Sequence, residues 1–448
     1  MHIPQWFSGR VAVISAATFA SLVSSSALAA LAVSPIFGSN MVLQRGAPVP
    51  VFGTADPGST VTVSFQSQSV AATADASGKW RADLGVMNAS ATPATLTVTQ
   101  SGSASVTFTG VQVGEVLLFS GQSNMDMTMS EAQDSAPYIS SAASNNIRLF
   151  LMKSGSGPAT TTWRTADAAS VGAFSAVGYW TGLDIFKSLN VPVGLIQATH
   201  DGTGIEAWQT TNGGNAVDYN AMVKAIQPFA IKAIGWYQGE SNGGDSTYET
   251  KLTAMINEWR TDWKMPALPF GIVQLPSAKW DAARSAQYRV SRNVPNTFLV
   301  VTSDLPSPSQ LHPTTKRPIG RRMGIGLRGT VYGQAIEYSG PLAWPAPTSY
   351  ASGNKIVVSF AHVGSGLITS GGSPAPAQIA TATGRFVSAT ATIVGNTIEF
   401  TGNLTNPKRV RFGYGGQGNL FNIVNIPVEG GAATETRLPA SLFELTVP

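Results

Sequence analysis

The apolar residues of this chain change their spacing twice, and that switch limits the folds open to it. From residue 33 to about 113 they alternate in short runs: Val61-Thr-Val-Ser-Phe65, Ala94-Thr-Leu-Thr-Val98 and Val106-Thr-Phe108. Asp56-Pro-Gly-Ser59 and Asp75-Ala-Ser-Gly78 separate runs as turns. A period of two with frequent turns predicts an antiparallel β-sandwich. From Gly114 onward, apolar strands at 115–119, 147–152, 193–197, 231–236, 269–275 and 297–302 alternate with helical stretches. The clearest helix places Tyr248, Leu252, Met255, Ile256, Trp259 and Trp263 at three- and four-residue spacing. Alternation of this kind predicts an α/β region with a mostly parallel sheet covered by helices. After about residue 340 the period returns to β, with Lys355–Phe360 and Thr397–Phe400 as strands between glycine-rich turns. The expected layout is 33–113 as an N-terminal β-sandwich, 114–338 as the α/β domain and 339–448 as a C-terminal β-rich domain.

Of the 448 residues, 43% are hydrophobic, enough for two or three packed domains. Only 12% are charged, about half the usual share. Small polar residues fill the difference, which suits a β-rich extracellular protein. The first thirty residues contain one charge, Arg10, followed by an apolar and small-residue run from Val11 to Leu22 and the small-x-small site Ala27-Leu28-Ala29. This predicts a signal peptide over 1–29, with cleavage within 30–32 equally compatible, and a secreted or periplasmic product without a membrane anchor. Its removal lowers the formal charge from +4 to +3. No run of Lys and Arg occurs, so nucleic acid is not an expected partner. With no cysteine, disulfides, thiolate metal sites and cysteine nucleophiles are excluded. Carboxylates and histidines never cluster at ligand spacing, so neither a metal site nor a cofactor is expected.

In open α/β sheets chemistry gathers at the carboxyl ends of the strands. Three ends carry polar sequences: Ser120-Gly-Gln-Ser123, Thr199-His-Asp-Gly-Thr203 and Gln238-Gly-Glu-Ser-Asn242; a fourth polar segment ends at His312-Pro313. Ser123 sits on a tight strand-to-helix turn. Two readings fit it, a solvated or helix-capping serine and a nucleophile. It does not follow the Gly-x-Ser-x-Gly elbow, since Gly121 and Met125 flank it. There are four histidines, and only His200 and His312 lie in the α/β region. A general base for Ser123 must be one of these two. The backbone N–H groups of Ser123 and Gly202 can act as oxyanion donors, with a side-chain amide from Gln238 or Asn242.

Gly121-Gln-Ser-Asn-Met125, residues 194–208, Trp236-Tyr-Gln-Gly-Glu-Ser-Asn242 and Leu311-His-Pro-Thr-Thr-Lys316 together resemble the sequence blocks of bacterial and animal sialate O-acetylesterases, members of the SGNH hydrolase superfamily. Asn40–Arg45, Val111–Val116 and Gly415–Phe421 extend the resemblance over essentially the whole chain beyond the signal segment. The resemblance implies an SGNH-type three-layer α/β/α domain that removes acetyl groups from sugars, so the expected partner is an O-acetylated carbohydrate. Position by position it implies Ser123 as nucleophile and His312 as base. Ser123, Gly202 and Gln238 would form the oxyanion hole. Gln122, Asn124, Tyr237, Glu240 and Trp208 are expected around the substrate; Trp208 and Tyr237 can stack on sugar rings, whereas Trp236 and Arg284 read as structural.

Two positions depart from the family pattern. Many SGNH enzymes carry an aspartate three residues before the histidine, where this chain has Ser309. Asp304, eight residues upstream of His312, is the candidate acid, and a backbone carbonyl orienting a Ser-His dyad is the alternative. Where the family has Gly-Gly-Thr, this chain has Asp201-Gly202-Thr203. A carboxylate there opposes an oxyanion unless it turns away or pairs with a cation such as His200. Two further functions are compatible with these residues: an acetylesterase acting on xylan or another plant glycan, and a catalytically silent carbohydrate-binding protein.

Overall fold

The computed structural model describes residues 1–2, 31–142, 144–153, 155–276, 278–305, 310–343, 349–416, 418–427 and 433–448. The expected signal peptide lies outside them.

Period-two sequences build the N-terminal region. Thr60–Phe65 pairs antiparallel with Gln68–Thr73 and Ser90–Gln100. Val61, Val63 and Phe65 point inward while the threonines and serine between them are more exposed. A second, three-stranded sheet contains Lys79–Leu84, where Trp80, Ala82 and Leu84 are the buried alternate residues.

The expected boundary at 113 falls inside a strand. Val106–Gly121 is one unbroken 16-residue strand. Its first half pairs antiparallel with Ser90–Gln100. Its second half lies between Val193–Thr199 and Ala233–Tyr237, parallel to both. The burial pattern changes with the partner: residues 106–110 alternate between half-buried and exposed, and 111–121 are buried throughout. That is the signature of passing from a sheet solvated on one face to one covered on both. A single hydrophobic core accordingly extends from Leu31 in the N-terminal region to Leu327.

The main sheet runs in the order Arg164–Ala166, Ser144–Lys153, Val193–Thr199, Val106–Gly121, Ala233–Tyr237, Phe270–Val273 and Thr297–Val300, parallel except for its first pair. Successive residues of one strand show helices on both faces. Gly235 leaves space for Met323 of the Arg317–Thr330 helix. The next residue, Trp236, meets Trp259 of the Tyr248–Trp263 helix edge-on at 5.8 Å. That helix buries all six residues on which its expectation rested. It ends where Lys264 turns left-handed and returns its N–H to the Arg260 and Thr261 carbonyls.

The C-terminal strands enclose a separate core, including Ile356, Val358, Ile398, Phe400 and Phe443, which Tyr288 of the Asp281–Asn293 helix enters from the α/β region. Arg284 on the same helix is fully buried, pairs with Asp281 at 2.6 Å and reaches the carbonyls of Gly413 and Gly416. It joins the two cores, in keeping with its structural reading.

Candidate active site

The long strand ends at Gly121, which adopts φ +136°; a side chain there would meet the Tyr237 carbonyl at 2.1 Å. Only glycine accepts both the torsion and the approach. The chain then turns into a single helical turn, Ser123–Asp126, beginning with the serine. Asp126 anchors one side of this turn, accepting from Thr199 Oγ1 at 2.5 Å and Gln197 Nε2 at 2.9 Å. Asn124 anchors the other, donating to the Leu311 carbonyl at 2.9 Å and to Glu240.

His312, 189 residues away in sequence, places Nε2 at 2.8 Å from Ser123 Oγ. With that nitrogen unprotonated, the hydroxyl donates to it. Both side chains line a pocket of about 380 Å³ over the strand ends. Gln122, Asp201, Gly202 and Glu240 share its wall, as expected from the sequence, while Ser241, Lys279 and Trp280 add to it. The last two follow the Phe270–Val273 strand, a carboxyl end that the sequence reading left without a role. A tryptophan beside a lysine just beyond a strand end was the available signal.

Several expected site residues stand elsewhere. Trp208 and Tyr237 are wholly buried and absent from the pocket wall. Trp208 packs against Trp236 and donates to Thr203 Oγ1, so its ring belongs to the core and presents no face to a sugar. Asn124 is likewise buried behind the wall, its amide committed to the protein. Gln238 is buried, and its NH2 serves the Thr203 carbonyl at 3.3 Å and Asn242 Oδ1 at 2.8 Å. Both donors of that amide are thus engaged, and Gln238 braces the loop where an oxyanion donor had been expected. Asn242 completes the brace by donating to both carboxylate oxygens of Glu206 at 3.1 Å.

Asp304 forms a two-pronged pair with Arg322, at 2.8 and 2.6 Å, and so anchors the helix that follows His312. That geometry replaces the expected orienting contact to the imidazole. Position 309 lies outside the described residues. Hydrogen bonds from the Thr128 N–H and hydroxyl hold the Glu131 carboxyl below its usual range, and His312 adds a smaller downward pull on it and on Asp201. Burial and the neighbouring Asp126 nonetheless push Asp201 above the usual carboxylate range. His200 does not pair with Asp201; its Nδ1 meets buried Asp218 at 2.7 Å. Among the described residues no three His, Cys, Asp or Glu side chains gather as a metal would require, and no helix is long and apolar enough to cross a membrane.

Comparison with known proteins places this geometry. Residues 113–325 match the family described as carbohydrate esterase, sialic acid-specific acetylesterase. Sialate O-acetylesterase from Homo sapiens is 28% identical over 383 residues, 68% of this chain and 72% of the relative. The Mus musculus enzyme is 27% identical over 401 residues, 67% and 74% of the two chains. The crystal structure of a carbohydrate acetylesterase from Xanthomonas citri superposes with a TM-score of 0.81 at 30% identity, over 92% of this chain and 99% of that one. The chain is a carbohydrate esterase and belongs to the sialic acid-specific acetylesterase family.

Proposed function

We propose that this esterase, whose family removes O-acetyl groups from sugars, is a secreted sialate O-acetylesterase that works through an acyl-enzyme on Ser123. One observation carries the reading: the 2.8 Å contact between His312 Nε2 and Ser123 Oγ inside a pocket at the strand ends. His312 takes the hydroxyl proton as Oγ bonds the acetyl carbonyl carbon, and the carbonyl π electrons move onto oxygen. The Ser123 and Gly202 amides receive that oxyanion. Gly202 has φ +69° with open space where a side chain would stand, so an acetyl group can approach its backbone closely. Collapse of the intermediate breaks the bond to the sugar oxygen, which leaves with the proton from His312. Water then repeats the attack with His312 as base, releasing acetate and restoring Ser123. Losing either donor is expected to cost roughly two to three orders of magnitude in rate.

The same reading takes the fold as SGNH-type, residues 1–29 as a cleaved signal, and Glu240 and Gln122 as the wall residues nearest the sugar. The names of the human and mouse relatives support the choice of sialate. Acetate release from O-acetylated sialic acids and from acetylated xylan tests it. The expected result is turnover of the sialate esters that Ser123→Ala abolishes with the fold intact. Turnover of xylan alone would reassign the glycan. No turnover of either ester by the folded wild type would leave a carbohydrate-binding protein.

A further inference from the structure

Behind the pocket wall lies a buried polar group that the chemistry above does not use. Lys316 is wholly buried, four residues beyond His312 and one before the Arg317–Thr330 helix. Its ammonium donates to Asn124 Oδ1 at 2.5 Å and lies 5.1 Å from the centre of the Tyr237 ring. The other end of the Asn124 amide donates to Glu240 Oε1 at 2.5 Å and to the Leu311 carbonyl at 2.9 Å.

The arrangement engages both ends of the carboxamide, with the oxygen accepting one bond and both N–H bonds donating. It also fixes which way round the amide stands, because an ammonium cannot accept and a carbonyl cannot donate. The chain positions are informative. Asn124 follows Ser123, and Leu311 precedes His312. The only described side-chain bond between those two backbones, apart from the Ser123–His312 contact itself, is therefore the one whose orientation Lys316 holds.

We propose that Lys316 is a positioning residue that, acting through Asn124 and balanced by Glu240, sets the reach of the Ser123 hydroxyl to the His312 imidazole. Without the ammonium, the buried Asn124 oxygen loses its partner, and an unsatisfied acceptor strains the strut that the Leu311 and Glu240 contacts alone then hold. Glu240 supplies the opposing charge. Burial pushes the Lys316 ammonium down to about 7, with the Glu240 carboxylate resisting that fall. Burial also pushes Glu240 up, against Asn124 and Lys316. Removing one charge therefore strands the other beneath the nucleophile, whereas removing both does not. The inference rests on the Ser123–His312 reading, and it reassigns Asn124 and part of Glu240 from binding the sugar to holding the reactive pair.

The test is the rate at which a small serine-directed phosphonate labels position 123, together with kcat and KM on an acetyl ester. Ser123→Ala abolishes labelling if the proposed nucleophile is right; wild-type protein that is not labelled overturns that reading independently of Lys316. Lys316→Met is expected to slow labelling and lower kcat together by about 10- to 100-fold, with KM within about threefold. Glu240→Gln acts in the same direction. The double variant is expected to lose much less than the product of the two single losses. Strictly multiplicative losses, or a raised KM with kcat and labelling intact, overturn the proposal. Should Lys316→Met not fold, Asn124→Ala carries the same expectation, and wild-type labelling in that variant overturns it.

Discussion

His200 and His312 occupy equivalent-looking places, each in a loop beyond a strand end of one sheet, yet their surroundings divide the parts of a triad between them. His200 has the acid: its Nδ1 sits 2.7 Å from Asp218, which is buried. His312 has the serine at 2.8 Å, while the aspartate expected behind it is held by Arg322. On the proposed mechanism a carboxylate partner does not identify the base; reach to Ser123 does. The more complete-looking acid–imidazole pair is, on that mechanism, structural, and the imidazole that serves as base is the one whose expected aspartate is held elsewhere.

The largest effect expected from breaking this contrast is at His312. His312→Ala should lower kcat by at least about three orders of magnitude with little change in Tm, because the side chain is exposed. Adding Ser123→Ala should cost almost nothing more, since the two act as one unit. Gly121 serves both loops: its carbonyl accepts from the His200 N–H at 3.1 Å, and its torsion launches the Ser123 turn. Gly121→Ala should reduce kcat about 10- to 100-fold and cost about 1–3 kcal/mol in chemical denaturation, from the strained torsion alone. Asp304→Asn should read as a stability change of about 1–3 kcal/mol through Arg322, with kcat within about fivefold. A collapse of kcat with stability intact would make Asp304 the orienting acid after all.

His200→Ala sharpens the comparison from the other side: kcat should stay within about threefold while stability falls. Burial already pushes the Asp218 carboxyl above its usual range, and His200 is what opposes that rise. A carboxyl whose pKa is higher in the folded state contributes stability at pH below its unfolded pKa and loses it as pH climbs through the folded one. The variant should therefore lose stability more steeply than the wild type as pH rises above the usual carboxylate range, measured by urea denaturation. The smallest effect is expected at Asp201, where Asp201→Gly should leave kcat unchanged or raise it by a few-fold. A large fall would assign that carboxylate to stabilising the His312 imidazolium.

Regular elements were legible wherever one period ruled. The Tyr248–Trp263 helix and the centres of the main-sheet strands follow from apolar spacing, because a core-facing stripe dictates it. Ser123 and His312 were legible as a pair through the sequence blocks around them. The continuity of Val106–Gly121 was not, since its two halves obey different periods and a change of period reads as a boundary. Trp208 and Tyr237 read as sugar platforms because they sit in motif segments; one closes a helical turn and the other a strand, and the packing that turns both into the core is set by neighbours far along the chain. Lys316 closes one of the family blocks, but nothing local showed its burial, since Thr314-Thr-Lys-Arg317 reads as a solvated helix start and its partners Asn124 and Glu240 stand 192 and 76 positions away. Long-range partners decide burial, and local pattern cannot show them.

The 16-residue strand has a consequence for how tightly the reactive hydroxyl is located. Sliding it by one position would move its tip by about 3.3 Å and turn each side chain to the opposite face. Both halves of the molecule would object to that slip at once, the sandwich through Val111 and Val113 and the parallel sheet through Leu117 and Phe119. The N-terminal strands therefore act as a ruler for Ser123: by holding the far end of a shared beam, they help keep the proposed nucleophile in line with its base.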